Sequence, residues 1–334
     1  MREQLDFNSV GVAARVGKEN QWAKLKELIN WESFRIILKR LDRTGEQGGR
    51  PPYDPVVMFK VVLLGQWHNL SDNDLEQVLR VRLDFMLFCG FSLSCNIPDS
   101  TTIQDYRFRM IELGLLEKCM QMLNKKLEEV ALKVKSGTLI VDSTIIESAA
   151  RPRNVIELGN DTEPPTKSSS ADPDAEWTKK GQEYHYGYKE HAVVNAEDGF
   201  IEDVHVTGAA THDGTMLKAV LKGKRGVKDV LADKAYASRK NRAYLKTRQI
   251  RDSILRKAAR NRPLTANDLR HNRRLSQRRF VAEQQFGTKK RKFCFFRTRY
   301  FFRLRVQGQA YLKAICFNLL KAVRMLAPPP PAVA

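Results

Sequence analysis

Cysteine is scarce. The 334 residues contain five, Cys89, Cys95, Cys119, Cys294 and Cys316, an odd number, widely scattered and never arranged as C-x-x-C. That excludes a disulfide framework and offers no zinc site, so these residues read as reduced core thiols. Long apolar runs are missing as well. No stretch approaches the roughly 18 consecutive apolar residues of a membrane-spanning helix, and Met1 to Val10 lacks the apolar centre of a secretion signal. A cytoplasmic, nucleoid-associated protein with no membrane partner is expected. Histidine is sparse too: His185, His191, His205 and His212 are spaced too irregularly to suggest an imidazole metal set. Acids are outnumbered, 38 against 58 Lys and Arg, which leaves a net charge of +20 and a pI near 9.8. With 42% hydrophobic and 9% aromatic residues, the chain is too apolar for a disordered cationic tail and reads as a folded binder of a polyanion.

The length allows one large domain or two ordinary ones. Residues 20 to 134 are rich in helix formers. Leu25, Leu28 and Ile29 fall at helical spacing, as do Val56, Phe59, Leu63 and Leu64 after the turn Pro51-Pro52-Tyr53-Asp54-Pro55. Ser71-Asp72-Asn73-Asp74 and Asp99-Ser100-Thr101-Thr102 are helix starts, with a hydroxyl or carboxylate to cap the first turn. An all-helical N-terminal domain over 1–135, for DNA binding or oligomerisation, is predicted. Residues 70–87 have spacing compatible with a helix-turn-helix and equally with plain packing.

The pattern changes at Gly137. Thr138-Leu139-Ile140-Val141-Asp142 reads as a buried strand ending in an acid. The Pro-, Ser- and acid-rich segment at about 151–183 reads as a polar loop or partly disordered insertion. Strands are predicted at about 186–195 and 200–207, joined by the turn Glu197-Asp198-Gly199. A helix at 212–221, a strand at 228–232, a helix at 238–247, a strand at 252–257 and helices at 267–288 and 307–326 follow, before a frayed tail at 327–334. The order β-β-β-α-β-α-β-α-α matches a ribonuclease H-like mixed sheet flanked by helices, placed at 136–326 and preceded by the all-helical domain.

Three carboxylates would meet in that topology: Asp142 at the end of the first strand, Asp233 after the fourth, and Glu283 in the helix around Arg279 to Gly287. Burying a carboxylate is costly, and a cation is the simplest relief. Oxygen-only ligands suit magnesium or manganese, and two such ions can serve an in-line phosphoryl displacement.

The surroundings of these acids resemble the DDE transposases of bacterial insertion sequences, in the insertion sequence family five group. Val141-Asp142-Ser143-Thr144-Ile145-Ile146 is similar to the family's first motif, and Asp233-Lys234-Ala235-Tyr236 to its second. Arg279, Glu283 and Lys290 keep the R-x3-E-x6-K spacing of the third. Ser276 stands where the family often has a tyrosine, so no tyrosine contribution is expected there. The resemblance runs from about Pro51 to Phe317 and includes Tyr186-Gly187-Tyr188-Lys189 and Thr211-His212-Asp213. It implies that Asp142, Asp233 and Glu283 hold two Mg2+ or Mn2+ ions. It also implies hydrolysis at the ends of an element and joining of the freed 3′-hydroxyls to target DNA, with a homodimer on terminal inverted repeats. Rival readings are a metal-dependent nuclease of the same fold and a non-catalytic DNA-binding descendant.

On a helix, 279, 283, 286 and 290 share one face, which would set a guanidinium, a carboxylate and an ammonium along one groove. Between Arg251 and Arg305 there are 18 Lys or Arg and three acids, a net of +15, as a DNA track would show. Arg279, Lys290, Lys234, Arg291, Lys292, Arg297 and Arg299 are the candidate DNA contacts. The aromatics of Phe293 to Phe302 interleave with arginines; they read mainly as core, with base stacking as the alternative. Trp177 reads as an anchor for the insertion, or as a wedge against an unpaired base. Asp213 is read as a helix cap, with His212 a further candidate DNA contact.

Overall fold

The computed structural model describes residues 7–42, 51–135, 137–151, 171–259 and 262–326. Most of the insertion reading, at 152–170, and the tail reading, at 327–334, lie outside the described residues. The chain divides into two compact units, Met1–Leu132 with Asn318–Ala334, and Lys133–Phe317.

The first unit contains α1 (Phe7–Val16), α2 (Gln21–Leu28), α3 (Arg35–Leu38), α4 (Pro55–His68), α5 (Asp72–Val81), α6 (Leu83–Cys89), α7 (Ser100–Glu112) and α8 (Leu115–Glu129). No strand occurs among its described residues. Helix α4 is almost wholly apolar and is buried nearly all round, as a central helix must be. Asp54 accepts from the Val56 amide at 2.7 Å while Pro55 opens the first turn, and Asn69, at φ 54°, ends the helix in the left-handed region. Trp22, Phe34, Phe59, Phe85 and Phe88 are fully buried around it. Residues 70–87 form helix, link and helix, but the link is Arg82 alone and α6 buries Phe85, Met86, Phe88 and Cys89 of its seven residues. A reading helix must project from its domain after a turn of three or four residues, so this pair packs rather than projects.

The second unit is built on β1 (Thr138–Glu147), β2 (Glu176–Lys180), β3 (Glu183–Asn195), β4 (Ile201–Gly208), β5 (Asp229–Ala232) and β6 (Arg251–Ile254). Its helices are α9 (Asp213–Val220), α10 (Arg239–Thr247), α11 (Ala266–Lys292) and the first part of α12 (Arg303–Leu326). The sheet runs β2-β3-β1-β5-β6, with β4 also on β3. Strand β3 lies antiparallel between β1 and β4, whereas β5 and β6 continue from β1 in parallel. Two expectations need correction. Asp142 does not end its strand but sits in the middle of it, because pairing with β3 carries β1 on to Glu147. Residues 176–180 are not loop: they form a polar strand beside β3, and Trp177 lies 5.2 Å from the Tyr186 ring. Gly187 is required where β3 crosses the end of β1, because a Cβ there would stand 2.3 Å from the Ile146 carbonyl oxygen.

The two faces of the sheet differ. On the α9/α10 side, Val141, Val193, Leu217, Val220, Tyr236 and Leu245 share one apolar cluster. Helix α11 packs against β1, β3 and β5, and its inward stripe is half polar: Leu275, Ala282 and Phe286 alternate with Arg279, Gln285 and Lys289. Glu190 of β3 and Lys289 of α11 form an ion pair at 2.6 Å with neither residue more than 1% exposed. Burial pulls the Lys289 pKa down, against the pull of Glu190.

Lys313 of α12 is fully buried and donates to the Phe293 carbonyl at 2.7 Å. Burial pushes its pKa from 10.5 down to about 8. The folded state therefore binds this proton less tightly than the unfolded chain. The stability linked to Lys313 is fully present above pH 10.5 and is lost as pH falls through about 8, by at most about 3 kcal/mol. Denaturant titrations at pH 7.5 and 9.5 are expected to show about 2 kcal/mol of that gain in the wild type and a flatter profile in Lys313→Met. Parallel profiles for the two proteins would refute the assignment.

Candidate active site

Strand register places the first two acids side by side. Val141 of β1 pairs with Ala232 of β5, so the next residues, Asp142 within β1 and Asp233 just past the end of β5, stand side by side. Arg279 reaches both from α11: its Nη2 lies 3.0 Å from Asp142 Oδ2 and its Nη1 3.6 Å from Asp233 Oδ1. Asp142 Oδ1 also accepts from the Ser143 amide at 2.9 Å. The Asp142 side chain is 16% exposed and that of Asp233 37%. Burial raises the Asp142 pKa above 3.8 and Asp233 adds to the rise, while Arg279 and the Ser143 amide oppose it. Arg279 is itself buried, and its Nε has no hydrogen-bond partner. One guanidinium thus compensates two carboxylates that would otherwise repel.

The third acid is not brought into that pair. Glu283 is exposed, and among the described residues no group of three or more His, Cys, Asp or Glu stands close enough to hold a metal ion. The stripe expected at 279, 283, 286 and 290 is rotated: Arg279 and Phe286 face inward, Glu283 lies outside, and Lys290 is half-buried at the rim. The inner face is instead 275, 279, 282, 286 and 289, because those positions carry the helix's buried apolar groups.

The basic candidates divide by use. Lys234, Arg291 and Lys292 are exposed, with Arg291 Nε donating to the Gly287 carbonyl at 3.3 Å. Lys290 has its pKa lowered chiefly by burial and then by Lys180. Arg297 turns inward and donates to the Ser148 and Ala149 carbonyls at 3.0 and 2.9 Å, tying its loop to the end of β1. Arg299 is half-buried, and its amide donates to Gln309 at 3.1 Å. His212, not Asp213, caps α9: His212 Nδ1 accepts from the Gly214 amide at 3.1 Å, while Asp213 pairs with Lys189 at 3.0 Å.

Sequence reasoning missed a second polar layer on the other face of β1. His191, cross-strand from Ser143, is fully buried with Nε2 3.0 Å from Thr207 Oγ1, and burial pushes its pKa down to about 4. It is neutral at physiological pH. Lys189 in the same strand also donates to the Thr211 carbonyl at 2.7 Å. The run Tyr186-Gly187-Tyr188-Lys189 therefore acts through backbone geometry and internal bonds. Its polar residues in an otherwise apolar strand were the available signal.

No helix of the described residues is long and apolar enough to cross a membrane. Residues 134–319 match the family model for the transposase DDE domain, and residues 12–109 match a second model, described as a transposase domain (DUF772). The chain is 41% identical over 227 residues to the transposase for insertion sequence element IS1106 of Neisseria meningitidis serogroup B, a match covering 67% of this chain and 78% of that one. Among solved structures, the piggyBac transposase synaptic complex with hairpin DNA overlaps 96% of this chain and 76% of its own, with a TM-score of 0.44 and 9% identity. The first of these matches spans both strands that carry the paired acids and the whole of α11, and with it the chain belongs to the insertion-sequence transposases that carry a DDE domain.

Proposed function

We propose that this transposase cuts DNA at the ends of its element by phosphodiester hydrolysis and then joins the freed 3′-hydroxyls to target DNA. Asp142 and Asp233 are the first two acids of the site and Glu283 is the third. The observation that carries this reading is the convergence of Asp142, in the middle of β1, and Asp233, just past the end of β5, on Arg279. The strand order β4-β3-β1-β5-β6, with only β3 reversed between its neighbours, supports a ribonuclease H-like assignment.

The donor set fits a divalent cation of the magnesium class. It consists of hard carboxylate oxygens, one on a residue whose ionised form is disfavoured by burial and by its neighbour. Asp142 and Asp233 would hold the metal; Glu283, which lies outside that pair in the structure, is assigned as the third acid on its place in the R-x3-E-x6-K spacing alone. When bound, such ions activate a water or hydroxyl nucleophile and stabilise the leaving oxygen. The protein's own groups do the rest. The Ser143 amide fixes the Asp142 carboxylate. Arg279 sets one positive charge against both acids and holds them close together, and it offers a planar donor fork suited to a phosphate oxygen. Exposed Lys234, Arg291 and Lys292, with half-buried Lys290, supply charge for the DNA backbone. Handling two element ends together calls for a homodimer on DNA.

The test is a supercoiled plasmid carrying the element ends, incubated with full-length protein with and without Mg2+. Wild type is compared with Asp142→Ala, Asp233→Ala and Glu283→Ala. Cleavage and joined products are expected only with metal, and each substitution is expected to remove both. Cutting that survives the substitutions would sink the site. Cutting without joining would leave the nuclease reading, and salt-sensitive binding without cutting the binding-only reading.

A further inference from the structure

Four consecutive residues at the start of α12 are exposed: Phe301, Phe302, Arg303 and Leu304. Phe301 is 37% exposed, Phe302 43% and Leu304 56%. Phe302 has φ 68°, in the left-handed region that bulky side chains avoid. A buried carboxylate holds it there. The Phe302 amide donates to Asp172 Oδ1 at 2.9 Å, and the Tyr188 hydroxyl donates to the same oxygen. Ser148 Oγ donates to Asp172 Oδ2 at 2.5 Å, and Asp172 itself is fully buried. The next amide, that of Arg303, donates to Asp174 Oδ2 at 2.9 Å. A strained aromatic fixed outward by a fully used buried acid is a presented group, since a plain turn would place a glycine there.

The fringe of this patch is cationic. The Arg305 guanidinium lies 5.8 Å from the Phe302 ring, Arg303 is exposed, and both close the strongly basic run from Arg251 to Arg305. An apolar protein partner would have to strip water from those guanidinium groups. A nucleobase with its phosphate matches rings and charges together. We propose that Phe301 and Phe302 form a stacking platform for an unpaired base of bound DNA, an inference that rests on the DNA reading above.

Fluorescence anisotropy of full-length protein tests this with a labelled blunt duplex and the same duplex extended by a short oligo-dT overhang. The wild type is expected to prefer the overhang. Phe301→Ala/Phe302→Ala is expected to lose about tenfold or more on the overhang DNA while binding blunt duplex within about twofold of wild type. Phe302→Trp is expected to keep the preference. Equal wild-type affinity for the two DNAs, or an equal loss on both, overturns the platform while leaving DNA binding intact. No binding of either DNA by wild type overturns the DNA reading itself. A change in the sedimentation of the DNA-free double variant, with no loss specific to the overhang, reassigns the rings to a contact between copies of the chain and also overturns the proposal.

Discussion

Lys289→Ala is expected to destabilise the second unit by about 3–5 kcal/mol, the usual result of leaving one partner of a buried ion pair uncompensated. Glu190 would remain fully enclosed, and its Oε2 already lacks a hydrogen-bond partner. The loss is too large for a surface lysine, for which changes within about 0.5 kcal/mol are the rule. Replacing both members by apolar groups of similar size, Lys289→Met with Glu190→Leu, is expected to recover most of the stability, because the desolvation of both charges disappears together. Denaturant unfolding of the two variants and the wild type measures the difference. A Lys289→Ala protein within about 1 kcal/mol of wild type would show that the pair is wetter and weaker than its geometry indicates.

Asp142→Asn separates chemistry from folding. Shape and the Ser143 contact are nearly conserved, but the negative charge is gone. Cleavage is expected to fall by at least about 10^3-fold, equivalent to about 4 kcal/mol of transition-state stabilisation. The metal-free fold is expected to become more stable, in the range of about 0.5–2 kcal/mol that relief of active-site strain commonly brings. The reason is local: burial and Asp233 both work against the charged form of Asp142, and burial outweighs Arg279. Activity on plasmid DNA and thermal unfolding of the same preparation would be compared. A variant that is inactive and also destabilised would mean that the Arg279 contact outweighs burial.

Much of this site could be read from residues in order. The apolar, β-branched run before Asp142 marked a buried strand, and Leu231-Ala232-Asp233 marked another; their parallel pairing made the two acids neighbours. What sequence could not supply was the rotation of α11. Residues 279, 283, 286 and 290 and residues 275, 279, 282, 286 and 289 are both valid helical stripes. Only packing of Leu275, Ala282 and Phe286 against the sheet selects the second. Glu190 was equally opaque, because a carboxylate in a strand looks solvated until its partner 99 residues away comes into place. Strand β2 was hidden by its own polarity. Glu176-Trp177-Thr178-Lys179-Lys180 has no apolar face to show, and pairing with β3 alone makes it a strand.

The grouping of Asn318–Ala334 with Met1–Leu132 bears on how the gene tolerates damage. The first unit is discontinuous in sequence, with the whole second unit inserted between its parts. Asn318, from one part, donates to Asn124 Oδ1, from the other, at 2.8 Å in a buried pair. A premature stop after Phe317 would spare every acid of the proposed site and still break the helical unit. Splitting the chain between Leu132 and Lys133 likewise cannot yield a whole first unit. Copies truncated late in the reading frame are thus expected to lose the helical unit's integrity before they lose the codon of any acid of the proposed site.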